Sequence, residues 1–320
     1  MSKWIDGDLF NKFVEQKKNE KEKPQGGYKK RSELAWKNPD KGTVDVAKVY
    51  VGRFLTDPKG QFYKNYLYHM FQTGENWTFF LCQKTYNFDN YCPFCSVTNK
   101  LYTGTKADKS LAYNFKRKEK FASNWFVIDD PRDAEAASEE EKVNGKVRVY
   151  EFPGKVEVKI KEQITDTKNG LGPLVFDPGK DGFNFILKVN ATKKDQNNKV
   201  WPDYNLSEFS RKSHPIAATD KEISEIMKTT IDLDEYIENM EKDEEEVIAT
   251  LKQHMLWDLV SAEWKKAKGI EKELKEDDVP TSFSSTAKEE PEVTKEEVPF
   301  DLDGEEELSD ADLLKKLESL

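Results

Sequence analysis

The three cysteines of this 320-residue chain fall within fourteen residues, in the pattern His69-x12-Cys82-x9-Cys92-Pro-Phe-Cys95. A Cys-x2-Cys pair supplies two thiolates from one tight turn, and two separate strands can supply the other two ligands. Zinc prefers four tetrahedral nitrogen and sulfur ligands in structural sites, so the pattern predicts one structural Zn²⁺ held by His69, Cys82, Cys92 and Cys95. Because the unfolded chain has no preformed site, such an ion would contribute directly to folding.

The alternative interpretation of the cysteines is a redox pair, Cys92 and Cys95, with His69 as an ordinary packed residue. A redox pair predicts a thioredoxin-like strand and helix around it, and it leaves Cys82 without a role. An odd number of cysteines also argues against a secreted, disulfide-stabilised scaffold.

Short apolar runs predict a mainly β domain with helices, of the α+β class. Runs rich in Val, Tyr, Phe and Trp cover residues 44–55, 62–82, 121–128, 147–152, 156–160 and 183–189. Many short strands of irregular spacing favour a barrel or a sandwich. Near Thr219 the pattern becomes helical, because Thr219 and Glu222 form a capping box and apolar residues recur at helical spacing within 247–266. We expect these C-terminal helices to pack on the barrel.

Charge is divided unevenly along the chain, which has a net charge of -10. Residues 270–320 contain 18 acidic and 6 basic residues, whereas residues 28–128 contain 17 basic and 8 acidic residues. The acidic segment has too few apolar residues to offset its ordering entropy, and we expect a disordered tail that ends on a leucine stripe, Leu313, Leu314, Leu317 and Leu320. The basic segment favours a nucleic-acid surface.

Aromatic rings and positive charges are interleaved between residues 86 and 150. A groove for single-stranded nucleic acid needs cations along the phosphates and rings on which bases stack, each stack being worth ~1–3 kcal/mol. The alternative is that the rings are strand core and the charges a solvated face. The candidate binding residues in this segment are Tyr86, Tyr91, Tyr102, Tyr113, Phe115, Lys116, Arg117, Lys118, Lys120, Phe121 and Trp125.

Several of these motifs together resemble a known family. The Cys/His spacing, Ser110-Leu111, Lys116-Arg117-Lys118, Asp130-Pro131 and Asn184-Phe-Ile-Leu-Lys-Val189 are similar to those of the single-stranded-DNA-binding proteins of T-even bacteriophages. The resemblance implies an OB-fold barrel with an inserted zinc subdomain. It also implies that Arg53, Lys116, Arg117, Lys118, Phe121, Tyr150 and Tyr204 face the DNA strand.

The resemblance suggests a division of the chain into three regions. Residues 1–43 would hold an N-terminal helix, a linker and a basic self-association segment, in which Lys29, Lys30, Arg31 and Ser32 match the family's cluster. Residues 44–269 would form the OB-fold core, with the zinc subdomain at about 62–120, and residues 270–320 the tail. The leucine stripe of the tail would dock phage replication proteins: polymerase, helicase loader, primase and recombination mediator.

These observations lead to a functional expectation. The chain would coat and protect single-stranded DNA cooperatively, with little sequence preference, in phage DNA replication, recombination and repair, in the cytoplasm of the infected bacterial host. The alternative is a zinc-stabilised RNA-binding or transcription-related interaction module. We expect no enzymatic activity, because the sequence has no zincin, phosphate-loop or Gly-x-Ser-x-Gly motif and the metal set is closed. We also expect no membrane partner, since no apolar run approaches ~20 residues.

Overall fold

The computed structural model describes residues 31–73, 76–194 and 199–269. The strands are β1 (Lys48–Leu55), β2 (Lys64–Thr73), β3 (Asn76–Leu81), β4 (Lys118–Asp129), β5 (Val147–Phe152), β6 (Phe183–Ala191), β7 (Pro202–Asp203) and β8 (Glu208–Ser213). The helices are α1 (Arg31–Leu34), α2 (Pro93–Tyr102), α3 (Lys106–Phe115), α4 (Gly154–Thr165), α5 (Asp220–Met227), α6 (Leu233–Glu238), α7 (Glu244–Gln253) and α8 (Trp257–Ala267). Lys29, Lys30, the expected N-terminal helix and the acidic tail with its four leucines lie outside the described residues. Among the helices described, none is long and apolar enough to cross a membrane.

The strands form a mixed α+β architecture around an antiparallel sheet that curls into a half-barrel. The strand order is β3-β2-β4-β1-β6-β7, and β5 and β8 pair additionally with β4 and β6. Strand β4 pairs with β2 at its start, where Ala122 opposes Lys64, and with β1 near its end, where Trp125 opposes Phe54. This change of partner along one long strand accompanies the curl of the sheet.

The core of the half-barrel consists mainly of aromatic side chains from β1, β4, β5 and β6. Trp125 and Phe54 are fully buried, and their ring centroids lie 4.9 Å apart. The Trp125 ring also covers Gly52, where an added Cβ would come within 2.3 Å of it. A glycine is therefore required at this position of β1, because any larger residue would displace the indole.

The segment 156–160, which we expected to be a strand, is part of helix α4. Val156 and Ile160 are buried together with Ile164, whereas Val158 is half-exposed. The alternation of Val156, Val158 and Ile160 imitates a strand, but the four-residue spacing of the buried positions determines the structure.

Helices α5 to α8 follow the sheet, as the sequence predicts. Thr219 and Glu222 form the expected capping box at the start of α5. The single helix expected within 247–266 is two helices, α7 and α8, which are separated at Met255, where φ is 56°. Helices α2, α3 and α6 were not anticipated from the sequence.

Candidate metal centre and nucleic-acid interface

The four predicted metal ligands come from three neighbouring elements. His69 lies on β2 opposite Phe80 of β3, and Cys82 follows β3 directly, so the hairpin brings both side chains to one end. Cys92 is the N-cap of α2 and Cys95 lies in its first turn. Pro93 stands at the start of α2, where its fixed φ suits a helix. Its missing N–H costs nothing there, because the first N–H groups of a helix have no partner within the helix. The Cys-x2-Cys turn is therefore fixed by the start of a helix.

The ligand atoms of these four residues all lie within 4.8 Å of one another. The His69 Nε2 atom is 3.4 Å from the Cys92 Sγ atom and 3.5 Å from the Cys95 Sγ atom, and the Cys82 and Cys95 sulfurs are 3.6 Å apart. Metal–ligand distances of about 2.0–2.3 Å in a tetrahedral site place neighbouring donors about 3.3–3.8 Å apart. The donor set and its spacing therefore fit a four-coordinate structural metal ion.

A backbone contact orients the imidazole toward the thiols. His69 Nδ1 lies 2.7 Å from the carbonyl oxygen of Phe115. Because a carbonyl oxygen can only accept, Nδ1 donates to it, and Nε2 is the ring nitrogen that faces the sulfurs. The carbonyl oxygen at the end of helix α3 thus orients the imidazole so that Nε2 points toward the sulfurs.

The Cys/His cluster is largely buried, and it favours the thiolate form of Cys92. His69, Cys82 and Cys92 are buried, and Cys95 is half-buried. Hydrogen bonds from the Cys82 and Cys95 thiols hold the pKa of the Cys92 thiol well below its ordinary value, against the effect of burial. A thiolate is the form that binds a metal.

An apolar cluster surrounds the metal ligands. Phe94, between the two cysteines of the turn, packs on Phe80 at 4.7 Å, and Phe71 packs on Phe115 at 4.6 Å. Leu251 of α7, Leu256 just before α8 and Val260 of α8 cover this cluster. We call β2, β3, α2 and α3 together the Cys/His module. The C-terminal helices hold this module in place by packing on it.

Beside the metal ligands, two aromatic rings carry cations at the surface. The Lys116 ammonium lies 3.8 Å from the ring centroid of Tyr113, and the Arg117 guanidinium lies 4.7 Å from that of Phe88. Tyr113 and Phe88 are both 56% exposed. These side chains form the ring–cation patch, which we define as Lys84, Phe88, Tyr113, Lys116 and Arg117.

Four residues expected to face DNA are instead buried. Phe115 belongs to the cluster around the metal ligands, and Trp125 and Tyr150 belong to the half-barrel core. The Arg53 guanidinium donates to the carbonyl oxygens of Asp177 and His214 and to Asn184 Oδ1. None of the four reaches the surface in this structure, where their side chains pack inside the protein, and their contact with DNA stays a prediction. Burial also lowers the pKa of Arg53 to about 10.

Other expected residues have protein partners. Lys120 lies 3.5 Å from the buried Glu151 carboxylate. The hydroxyl of Tyr91 donates to the Val260 carbonyl oxygen of α8, and that of Tyr86 donates to Glu241. These contacts give the three residues roles in tertiary packing.

The remaining expected residues are at least partly accessible. Tyr102 is 44% exposed on α2. Phe121 and Tyr204 are half-buried and pack against the half-barrel core, and Lys118 is half-buried with a pKa lowered by burial and by Lys116. Arg31 and Ser32 begin helix α1.

The structure also exposes rings that the sequence did not single out. Phe88 and Lys84 lie within the nine-residue spacer between Cys82 and Cys92; Phe88 belongs to the interleaved aromatic pattern but was not among the candidate binding residues. Trp77 on β3 and Trp201 before β7 are 64% and 54% exposed.

A curled antiparallel sheet, a Cys3His cluster and a surface of paired rings and cations together define a nucleic-acid-binding class of protein. A family model described as gp32 DNA binding protein like matches residues 50–256. The chain belongs to this gp32-like family, which consists of DNA-binding proteins rather than enzymes, and membership supports binding of single-stranded DNA. The comparison with curated proteins gave no match.

Proposed function

We propose that the protein is a cooperative, largely sequence-independent coat for single-stranded DNA that acts in phage DNA replication, recombination and repair. The ring–cation patch is the observation that carries this proposal. Exposed rings with adjoining cations suit a ligand that presents both base faces and phosphates, and only a single strand presents both along its length. The half-barrel would then be an OB-fold, the architecture that family membership suggests for the sheet.

Structural zinc is part of this proposal. Three thiolates and one imidazole are the ligand chemistry that Zn²⁺ prefers, and four protein donors leave no position for substrate. When bound, the ion would crosslink the β2–β3 hairpin to the first turn of α2. His69, Cys82, Cys92 and Cys95 would hold it, and the buried Phe94 and Phe115 would exclude water from it.

Binding along DNA would be cooperative through residues N-terminal to the described core. In this proposal Lys29, Lys30, Arg31 and Ser32 contact a neighbouring copy on the same strand. The acidic residues 270–320 would compete with DNA for the basic surface in the free protein and recruit phage replication proteins once DNA displaces them, in the host cytoplasm.

A binding titration tests the proposal. Fluorescence anisotropy of labelled oligo(dT), oligo(U) and duplex DNA is measured over a range of salt concentrations. We expect preferential binding of the DNA single strand, with a log–log salt slope near -0.7 per contacted phosphate. Equal affinity for duplex, or no binding to oligo(dT), contradicts the proposal, and a clear preference for oligo(U) supports an RNA-binding module instead.

A second titration tests cooperativity. The apparent affinity for poly(dT) should exceed that for a short oligo(dT), and Lys29→Glu combined with Lys30→Glu should reduce the excess without changing short-oligomer binding. An excess that survives these changes contradicts the role assigned to this segment.

A further inference from the structure

Phe88 occupies an unusual position in the loop between two metal ligands. The loop runs from Cys82 to Cys92, and the Phe88 ring stands 56% exposed on it. Two cations lie over this ring: the Lys84 ammonium at 4.8 Å and the Arg117 guanidinium at 4.7 Å from the centroid. An exposed phenyl ring therefore contacts charges that come from two different segments of the chain.

The backbone of this loop is held by local hydrogen bonds. The Lys84 ammonium donates to the Phe88 carbonyl oxygen at 2.6 Å, and the Asn90 backbone N–H donates to the Asn87 carbonyl oxygen at 3.0 Å. Both ends of the loop are ligands of the Cys/His cluster. The Phe88 ring is consequently presented from a loop that begins and ends at members of the Cys/His cluster.

Arg117 differs from Lys84 in its freedom to bind a ligand. Within the part of the chain that the structure describes, the Arg117 guanidinium makes no hydrogen bond and no ion pair, and its contact is with the Phe88 ring. A ring contact through the face of a guanidinium leaves its in-plane N–H donors available, and these donors match a phosphate in a bidentate arrangement. A free arginine side chain samples many rotamers, so a ring that fixes it reduces the entropy lost on binding.

We propose that Phe88 is a positioning residue of the DNA-binding surface, whose ring holds the Arg117 guanidinium ready to bind a phosphate of single-stranded DNA. This inference rests on the proposed function. The spacer between Cys82 and Cys92 would then take part in DNA binding, in addition to joining two of the proposed metal ligands. The metal cluster and the phosphate contact are then connected through one aromatic side chain.

The test uses the full chain and a labelled oligo(dT) of about eight nucleotides, within the range of site sizes of OB-folds. Phe88→Ala removes the ring, Phe88→Leu keeps apolar bulk without an aromatic face, and Phe88→Tyr keeps the aromatic face. We expect the first two to weaken binding about fivefold and the third to bind like the wild type. The salt slope should be unchanged in all three, because no charge is removed.

Arg117→Gln supplies the comparison. It should weaken binding and also make the salt slope shallower by about 0.7, as expected for one lost phosphate contact on a single strand. Phe88→Ala added to Arg117→Gln should then weaken binding little further, because the ring has no guanidinium left to position. Trp77→Ala is the control, since this ring is exposed on β3 of the same module and carries no cation among the residues that the structure describes.

Several outcomes would overturn the inference. It is wrong if Phe88→Ala binds like the wild type, if Phe88→Leu binds as well as Phe88→Tyr, or if the two substitutions are additive. Zinc content and thermal melting of each variant show whether the cluster is intact, and the Leu and Tyr variants give the comparison if the Ala variant loses metal. Failure of the wild type to bind oligo(dT) contradicts the proposed function itself, whereas binding that is indifferent to Phe88 contradicts this inference alone.

Discussion

The indole N–H of Trp36 donates a hydrogen bond of 2.9 Å to the Asp130 carboxylate, which lies 94 residues later in the chain. Trp36 is buried against the half-barrel core, and the preceding Ala35 bridges Val149 of β5. The Arg132 guanidinium lies over the Trp36 ring at 5.2 Å and pairs with Asp130 at 2.6 Å. The segment that joins α1 to the sheet is therefore anchored by one buried ring and one buried carboxylate.

Replacing Trp36 should reveal the strength of this anchor. Trp36→Phe keeps an aromatic ring but removes the donor to Asp130, and we expect a loss of about 1–3 kcal/mol in the free energy of unfolding, because a buried acceptor loses a partner. Urea denaturation measures the loss. Trp77→Phe, at a side chain that is 64% exposed, is the matched control and should change stability by less than about 0.5 kcal/mol. Equal effects of the two substitutions would contradict the anchoring role.

Asp130 should also make stability depend on pH. Burial alone would raise the pKa of Asp130, but hydrogen bonds and the charge of Arg132 outweigh it and hold the pKa below its ordinary value. A carboxylate with a depressed folded-state pKa stabilises the protein above its unfolded pKa of about 3.9, and this stability is lost as pH falls through the folded-state value. Asp130→Asn should be less stable at pH 7, and the deficit should narrow below about pH 4. Urea midpoints between pH 3 and pH 7 measure this, and a constant deficit would exclude the linkage.

Arg53 should be required for stability rather than for DNA contact. Its guanidinium joins β1 to β6 and to the backbone near His214, and Arg53→Lys cannot reproduce these contacts. We expect a loss of about 2–4 kcal/mol in the free energy of unfolding, with an unchanged salt slope for oligo(dT) binding. Arg211→Lys, at an exposed position on β8, is the control. Because lysine keeps the positive charge, DNA contact is tested by affinity: weaker oligo(dT) binding by folded Arg53→Lys than by Arg211→Lys would support the DNA-facing role that the resemblance implied.

Loss of a metal ligand should unfold the Cys/His module. Cys92→Ser removes a buried thiol of the cluster, and we expect it to abolish zinc binding and to lower the melting temperature, since metal-binding free energy contributes to folding. Metal analysis and thermal melting of the two proteins measure the change. Asn99→Ala, exposed on α2, should retain zinc and melt like the wild type. Equal melting of wild type and Cys92→Ser would remove the structural role of the ion.

Removal of residues 270–320 should strengthen DNA binding. The segment carries a net charge of -12, and repulsion or competition from it is screened by salt, so the gain should be largest at low ionic strength. Anisotropy with oligo(dT) at several salt concentrations measures the gain. A chain whose tail residues are in scrambled order shows whether the effect on DNA affinity comes from the charge of the tail or from its sequence. Unchanged affinity on truncation would contradict competition with DNA and leave the tail only a solvating role.

The Cys/His cluster could be predicted from sequence because three cysteines and a histidine at this spacing suit a metal site far better than a redox pair. Which aromatic rings are exposed could not be predicted from the sequence, because a strand core and a stacking surface use the same aromatic residues. Trp125 and Tyr113 are both candidate binding rings in the sequence, yet Trp125 is fully buried and Tyr113 is 56% exposed. The difference depends on whether the residue lies on β4 inside the curled sheet or on the outer face of α3, and that follows from tertiary packing. Arg53 is a related case, since only the structure shows the carbonyl oxygens that surround its guanidinium.

Helix α8 lies far along the chain from the module it covers, and Glu263 of α8 accepts a hydrogen bond from Ser96, 167 residues earlier. The four metal ligands, in contrast, lie within residues 69–95. Contacts between residues close in sequence form early, and a nascent chain emerges at about 5–20 residues per second. His69 and its three cysteines leave the ribosome several seconds or more before α8 is synthesised. During synthesis there is thus an interval in which the four residues are all present and the cluster is still open on one side, and an ion bound there would enter before the C-terminal helix covers it.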